Sequence, residues 1–214
     1  MTWIFGYGSL MWRPEFPFRE RRPELLKGYH RSFCRLSFRH RGTPRAPGMV
    51  VGLERGGSCL GYAFLPEPGS EQATLAALDA REGDAYHRQV LPVESREREK
   101  NPDHGRNRGG EPDGGRNGGR DEIGARDADG GGEGGKILPA HTYLPVQGHP
   151  THVPGLPPGR MAALIASGEG ESGTARDYLC QLLAALKGLG ASEPEMEAML
   201  ARVRRLRGQS PAPE

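Results

Sequence analysis

Trp3-Ile4-Phe5-Gly6-Tyr7-Gly8-Ser9-Leu10-Met11-Trp12 is an apolar run broken by two glycines. Trp3, Ile4 and Phe5 read as a short buried strand. Gly6 and Gly8 then supply two positions free to take positive φ, so the strand ends in a loop. A loop of this kind turns successive backbone N–H groups toward one point and suits a carboxylate or phosphate, with Ser9 adding a hydroxyl donor. The same residues also make an ordinary turn after a strand, and the stretch alone leaves both readings open. It is not a phosphate loop: the Gly-Lys-Ser/Thr ending is missing and no G-x-G-x-x-G runs through it.

The second informative stretch is Glu71 to Glu82, where the period changes to that of a helix. Leu75, Leu78 and Glu82 fall on one stripe at the i, i+3, i+7 spacing, which places a carboxylate in a core-facing slot. Asp79 lies near that stripe, and Arg81 points well away from it. Gly83 ends the helix, so Glu82 occupies the last turn, where the carbonyl ends and desolvation both disfavour negative charge and raise its pKa. A frayed, solvated glutamate at a helix end is the alternative.

Around these two stretches the chain alternates strands and turns. Arg13 to Lys27, with Pro14, Pro17 and Pro23, reads as an irregular surface connection. Tyr29 to Phe38 reads as a strand ending at the turn His40-Arg41-Gly42-Thr43-Pro44. Met49–Leu53 and Leu60–Leu65 read as two strands of a hairpin turned at Glu54-Arg55-Gly56-Gly57-Ser58. Gln89–Val93 and Ile137–Leu144 are further strands. Three helices close the chain, over about 159–167, 174–187 and 192–207; Ser192 and Glu195 form a capping-box pattern at the start of the last. The pattern is that of an α+β domain with a mixed sheet and flanking helices.

Between the last two strands, residues 96–136 contain 13 glycines and a single large aliphatic residue, Ile123. Such a stretch buries no core and is expected to be a disordered insertion within a single domain spanning residues 1–214. Its nine basic residues are offset by ten acidic ones, and it has no aromatic interleaving for base stacking, which argues against nucleic-acid binding. Over the whole chain 29 Lys and Arg meet 27 Asp and Glu, so net charge points to no polyanionic partner. Cys34, Cys59 and Cys180 have neither disulfide-framework nor zinc spacing and read as reduced, mostly buried thiols. His141, His149 and His152 lack regular ligand spacing, and no metal is expected. No window approaches a membrane span and no leader is evident, which gives an expectation of a cytoplasmic chain with no membrane or obligate protein partner.

A G-x-S-x-G elbow, an H-E-x-x-H pair and a cysteine with an activating partner are all missing. What remains is an anion-cradling loop, Tyr7-Gly8-Ser9-Leu10, and a half-buried carboxylate, Glu82. Together they suit an amino-acid-like substrate whose α-carboxylate is held by backbone N–H groups while a general base takes a proton nearby.

The opening stretch, with Arg21-Arg22-Pro23 and Leu26-Lys27-Gly28-Tyr29-His30-Arg31, resembles the ChaC family of γ-glutamylcyclotransferases. The likeness continues through His40-Arg41-Gly42-Thr43-Pro44, Pro47-Gly48, Arg81-Glu82, Tyr86-His87-Arg88 and Arg176-Asp177-Tyr178-Leu179, and covers nearly everything outside 96–136. The resemblance implies a barrel-like sheet and a cofactor-free enzyme that cleaves glutathione to 5-oxoproline and cysteinylglycine. On the family's pattern Tyr7, Gly8, Ser9 and Leu10 bind the γ-glutamyl moiety and Glu82 is the acid/base. Tyr86 and Tyr143 are candidates to line the pocket or to donate to the γ-carbonyl oxygen, and Arg39, Arg41 and Arg88 to meet the glycine carboxylate of the tripeptide. Other γ-glutamyl amines or amino acids remain possible substrates, as does a non-catalytic γ-glutamyl-binding role.

Overall fold

The computed structural model of this chain describes residues 1–95 and 137–208; the Gly-rich stretch 96–136 lies outside the described residues. Five strands close into a barrel in the order β1-β3-β2-β4-β5. They are β1 (Trp3–Gly6), β2 (Phe18–Ser37), β3 (Gly48–Pro66), β4 (Tyr86–Ser95) and β5 (Ile137–Pro145). β1 and β5 run parallel, with Trp3 opposite Ala140, and every other barrel pairing is antiparallel. Helix α1 (Glu71–Glu82) precedes β4, while α2 (Pro158–Ser167), α3 (Ala175–Gly188) and α4 (Pro194–Gly208) follow β5, with a two-stranded β6 (Glu169–Gly170) and β7 (Gly173–Thr174) between α2 and α3. The expected mixed, barrel-like sheet with flanking helices is the observed fold.

β1 shows why an apolar run, not an alternation, marks its sequence. Trp3 and Phe5 pack into the main core with Leu179, Leu182 and Val203, whereas Ile4 joins a second cluster with Leu10, Phe64, Leu78 and Tyr143. Both faces are buried, so neither set can be polar.

The structure corrects three readings of the sequence. The proline-rich connection is largely strand: β2 begins at Phe18, and Pro23 pairs opposite Tyr62 of β3. Among the described residues β4 pairs with the other side of β2 over Glu24–Leu26. The second correction concerns the supposed hairpin at 54–58. β3 continues unbroken through it, with Gly56 and Gly57 at φ of 99° and 66° taking up a register shift opposite Lys27 to Tyr29, so these glycines make a bulge rather than a turn. Third, α4 starts at Pro194, and the Ser192 hydroxyl donates to Glu197 Oε1 at 2.8 Å instead of closing a capping box.

The β2–β3 turn, Arg39 to Pro47, is held by close backbone approach. A Cβ on Gly42 would lie 2.0 Å from Gly48 N, and one on Gly168 2.3 Å from Gly48 Cα. Farther along β3, Gly61 lets β1 in: a Cβ there would lie 2.4 Å from the Gly6 carbonyl oxygen and 2.8 Å from Phe5 Cζ. Gly61→Ala is expected to lower stability by about 1–3 kcal/mol through overpacking, read as a lower urea midpoint at unchanged m-value; an unchanged midpoint would show that β1 can shift freely.

Candidate active site

A cavity of about 580 Å³ opens where the loop after β1, the end of β2, the C-terminal end of α1 and the start of α3 meet. Its volume is within the range of small-molecule sites. Tyr7, Gly8, Ser9, Leu10, Arg41, Glu82, Tyr86 and Tyr143 all line it. Residues separated by up to 136 positions are thus brought to one wall.

The loop turns into a single 3-10 turn, Ser9–Met11, in which the Met11 N–H donates to Gly8 O at 2.9 Å and the Arg13 N–H to Ser9 O at 2.8 Å. The N–H groups of Ser9 and Leu10 open this turn and have no acceptor within it. Neither glycine has positive φ, contrary to the expectation from the sequence; Gly8 sits at φ −118°. They are required for space: a Cβ on Gly6 would meet Leu10 Cβ at 2.7 Å, and one on Gly8 the Tyr178 hydroxyl at 2.9 Å. Two anchors fix the loop. The buried Arg31 Nε donates to Tyr7 O at 2.7 Å, and the Tyr7 hydroxyl donates to Tyr143 O at 2.7 Å.

Glu82 is the last residue of α1, and Gly83 at φ 61° ends the helix behind it. Leu78 anchors the stripe in the core and Leu75 packs against the same cluster. The Glu82 side chain is 21% exposed. Burial raises its pKa above the ordinary glutamate range, against the opposing charges of Arg81 and then Arg35.

Arg81 does not point away. Its Nη2 donates to Ser9 Oγ at 2.6 Å, its Nη1 to Glu15 Oε2 at 3.0 Å, and its Nε lies 3.5 Å from Glu82 Oε1. The helical angle of its Cβ misleads because a long side chain follows the carboxylates within reach. Arg81 therefore ties the carboxylate to the loop.

The tyrosines are committed as donors. Tyr143 donates to Asp79 Oδ1 at 2.7 Å, and Tyr86 approaches Val51 O at 3.5 Å beneath the Arg35 guanidinium, whose Cζ is 4.5 Å from its ring centroid. Burial, the largest cause, pushes the hydroxyl pKa of Tyr7, Tyr86, Tyr143 and Tyr178 upward, so all four stay protonated. Of the three candidate arginines, Arg41 is buried in the wall, donating from Nη1 to Thr174 O at 3.2 Å; Arg39 lies at the exposed rim on Glu171. Arg88 is held by Asp79 at 3.0 Å and takes no part in the lining.

Sequence reasoning missed Arg35, Tyr178 and the role of Arg81. Thr174 caps α3 by accepting from the Asp177 N–H at 3.0 Å, which aims Tyr178 at the cavity. The motif Arg176-Asp177-Tyr178-Leu179 was the available signal, and its meaning needed the helix in place.

The three histidines do not converge: His141 meets Arg88 at 3.3 Å and His149 meets Thr151 at 2.8 Å. Among the described residues one Cys/Glu/His group, Cys34, Glu54 and His152, has its ligand atoms within 4.8 Å of one another. It is satisfied internally, with His152 Nε2 2.7 Å from Glu54 Oε1 and the Cys34 thiol kept protonated by burial and then by Glu54. None of the three lines the cavity.

Comparison with known proteins fits this geometry. The chain matches the family model described as ChaC-like protein over residues 2–206 and belongs to that family. It is 40% identical over 92 residues to gamma-glutamylcyclotransferase 2-3 of Arabidopsis thaliana, an alignment covering 42% of this chain and 46% of that protein. It is 47% identical over 72 residues to the glutathione-specific gamma-glutamylcyclotransferase of Escherichia coli K12, covering 33% of this chain and 31% of the relative. The matches thus span less than half the length of each of these relatives. A crystal structure of the yeast γ-glutamyl cyclotransferase specific to glutathione superimposes with a TM-score of 0.73 at 21% identity, covering 95% of this chain and 96% of that one; it shows a shared fold. Among the described residues no helix is long and apolar enough to cross a membrane.

A raised carboxyl pKa has a stability consequence of definite sign. Above the pH at which a free glutamate ionises, the unfolded chain has released this proton while the folded chain still holds it. Stability therefore falls as pH rises through that window, until Glu82 itself ionises. Glu82→Gln removes this loss. It is expected to unfold at a higher temperature than the wild type near neutral pH, with the gap closing toward acid pH in calorimetric scans; a lower transition temperature at neutral pH would count against a desolvated carboxylate.

Proposed function

We propose that this chain is a glutathione-specific γ-glutamylcyclotransferase acting in the cytoplasm, which converts glutathione to 5-oxoproline and cysteinylglycine. The observation that carries the reading is the placement of one desolvated carboxylate, Glu82, on the same cavity wall as the Tyr7–Leu10 loop, with Arg81 joining the two. Relatives named for this activity support it, as do three cysteines without disulfide partners, which fit a reducing compartment.

The chemistry asks little more. The loop N–H groups hold the substrate's α-carboxylate, and Glu82 removes a proton from the neighbouring α-ammonium. The freed amine attacks the γ-carbonyl of the same molecule, Glu82 returns the proton to the leaving amide nitrogen of cysteinylglycine, and the second proton shed by the ring nitrogen follows to the released amine. One carboxylate with a pKa nearer neutrality serves in both directions, as base first and acid second. Because nucleophile and electrophile share one molecule, the site's main contribution is to fold the glutamyl chain into ring-closing geometry, an advantage of up to about 7–11 kcal/mol. The internal acyl transfer changes no oxidation state. Arg41 meets the second carboxylate of the tripeptide, a role supported by its burial in the cavity lining.

Purified protein is expected to release cysteinylglycine and 5-oxoproline from glutathione, and folded Glu82→Gln to lose at least about 10²-fold in kcat/KM. Equal turnover by the two would remove Glu82 from its role, and turnover of γ-glutamyl amines in place of the tripeptide would replace the substrate but keep the reaction. A separate outcome concerns pH. Arg81 is the strongest charge holding the Glu82 pKa down, so Arg81→Leu should move the acid limb of the kcat/KM profile to higher pH. A limb that stays in place would mean that another group titrates there.

A further inference from the structure

Arg35 stands apart among the residues lining the cavity. It is 4% exposed, and its Nε and Nη1 have no hydrogen-bond partner among the described residues. Three other donors near the reacting end are occupied. Arg81 is taken by Ser9 and Glu15, the Tyr7 hydroxyl by Tyr143 O, and the Tyr143 hydroxyl by Asp79. A buried guanidinium without a partner is costly, and the cost is relieved only when an anion or strong acceptor arrives.

A β-bulge aims this side chain. Phe33 pairs with Val51, but Arg35 pairs with Val50, so β2 carries one extra residue at Cys34. Strict alternation from Phe33 would place Arg35 on the Phe33 face, in the main core; the bulge transfers it to the opposite face, over Tyr86 and into the cavity. There its charge is felt by Glu82.

We infer that Arg35 is a catalytic residue whose guanidinium N–H groups receive the γ-carbonyl oxygen as it takes on negative charge during ring closure. The inference rests on the cyclotransferase reading above. As the substrate's amine nitrogen forms its bond to the γ-carbon, the C=O π pair moves onto oxygen, and the oxyanion lies against Arg35. When that pair returns, the bond to the leaving nitrogen breaks, the nitrogen takes the proton held by Glu82, and the second proton that the ring nitrogen must lose passes through the freed Glu82 carboxylate to the leaving amine. The attacking amine must sit beside Glu82 to be deprotonated, and the carbonyl it attacks is in bond-forming contact with it. That oxygen therefore falls near Glu82, in the cavity that Arg35 also lines, while the α-carboxylate belongs to the loop. A donor that meets charge present only in the transition state acts on kcat.

The test is steady-state kinetics with glutathione at a pH above the acid limb, comparing wild type, Arg35→Leu and Arg35→Gln. Arg35→Leu should lose about 10²–10³-fold in kcat with KM close to wild type, and Arg35→Gln, which keeps an N–H donor without the charge, should fall between. A rise in KM at unchanged kcat would make Arg35 a carboxylate anchor and overturn the inference, and unchanged kinetics would leave it a packing residue over Tyr86. Removing an unpaired buried charge should not lower the unfolding temperature of Arg35→Leu; if that variant still fails to fold, Arg35→Gln decides by the same split. Wild type that releases no product from any γ-glutamyl compound would overturn the cyclotransferase reading and this role together, whereas active wild type beside fully active Arg35→Leu overturns this role alone.

Discussion

The Arg31 guanidinium is the interaction on which the rest of the structure depends. Its side chain has no solvent exposure, and its three nitrogens reach three separate parts of the chain: Tyr7 O in the loop after β1, Leu60 O in β3, and the Glu193 carboxylate at the start of α4. Burial raises the Glu193 pKa, and the charge of Arg31 is the main opposing force. A buried ion pair contributes little net stability against an apolar equivalent, but breaking it strands the partner charge. What the contact supplies is position: it holds the Tyr7 carbonyl to β2 and so fixes the turn that follows, whose residues line the cavity.

The cavity is built on a related economy of donors. Arg81 links Ser9, Glu15 and Glu82, so the loop and the end of α1 hold each other. Tyr7 fixes the loop to β5 through Tyr143 O, and Tyr143 in turn fixes β5 to α1 through Asp79. Each of these hydroxyls spends its one proton on structure, which leaves arginine side chains and backbone N–H groups to meet a ligand. Burial and neighbouring cations oppose each other at Glu82, and burial wins. The Glu82 carboxyl therefore holds its proton to a higher pH than an ordinary glutamate.

Glycine contributes to this fold mainly by its lack of a side chain. Gly6, Gly8, Gly42, Gly48, Gly61 and Gly168 all occur where another backbone or side chain comes within 3 Å of the missing Cβ. The close approach of Gly42, Gly48 and Gly168 brings the β2–β3 turn against the end of α2, and this turn carries Arg41 to the wall. Gly83 is the contrasting case: its Cβ would meet nothing within 4 Å, and its φ of 61° is the reason it ends α1.

The order of strands and helices, the bounds of α1 and the inward position of Glu82 were legible in the sequence, because hydrophobic periodicity and a C-terminal glycine are local signals that packing then amplifies. The loop and Glu82, expected to face one another across a pocket, line one cavity. Other features depended on long-range contacts. Whether Gly56-Gly57 turns the chain or merely bulges a strand is set by pairing with β2, and whether a glycine is needed for φ or for space is set by what packs on it. Arg81 and Arg35 show the limit most clearly. A helical wheel cannot tell where a six-atom side chain ends when carboxylates of other elements attract it, and strict alternation cannot anticipate a bulge that turns the next side chain to the other face. The sequence by itself determined the fold class, the bounds of α1 and the place of Glu82 at its end. The tertiary structure alone decided that, among the described residues, Arg35 keeps two buried N–H groups without an acceptor in the cavity that Glu82 also lines, since hydrogen-bond partners are assigned by packing between elements remote in the chain.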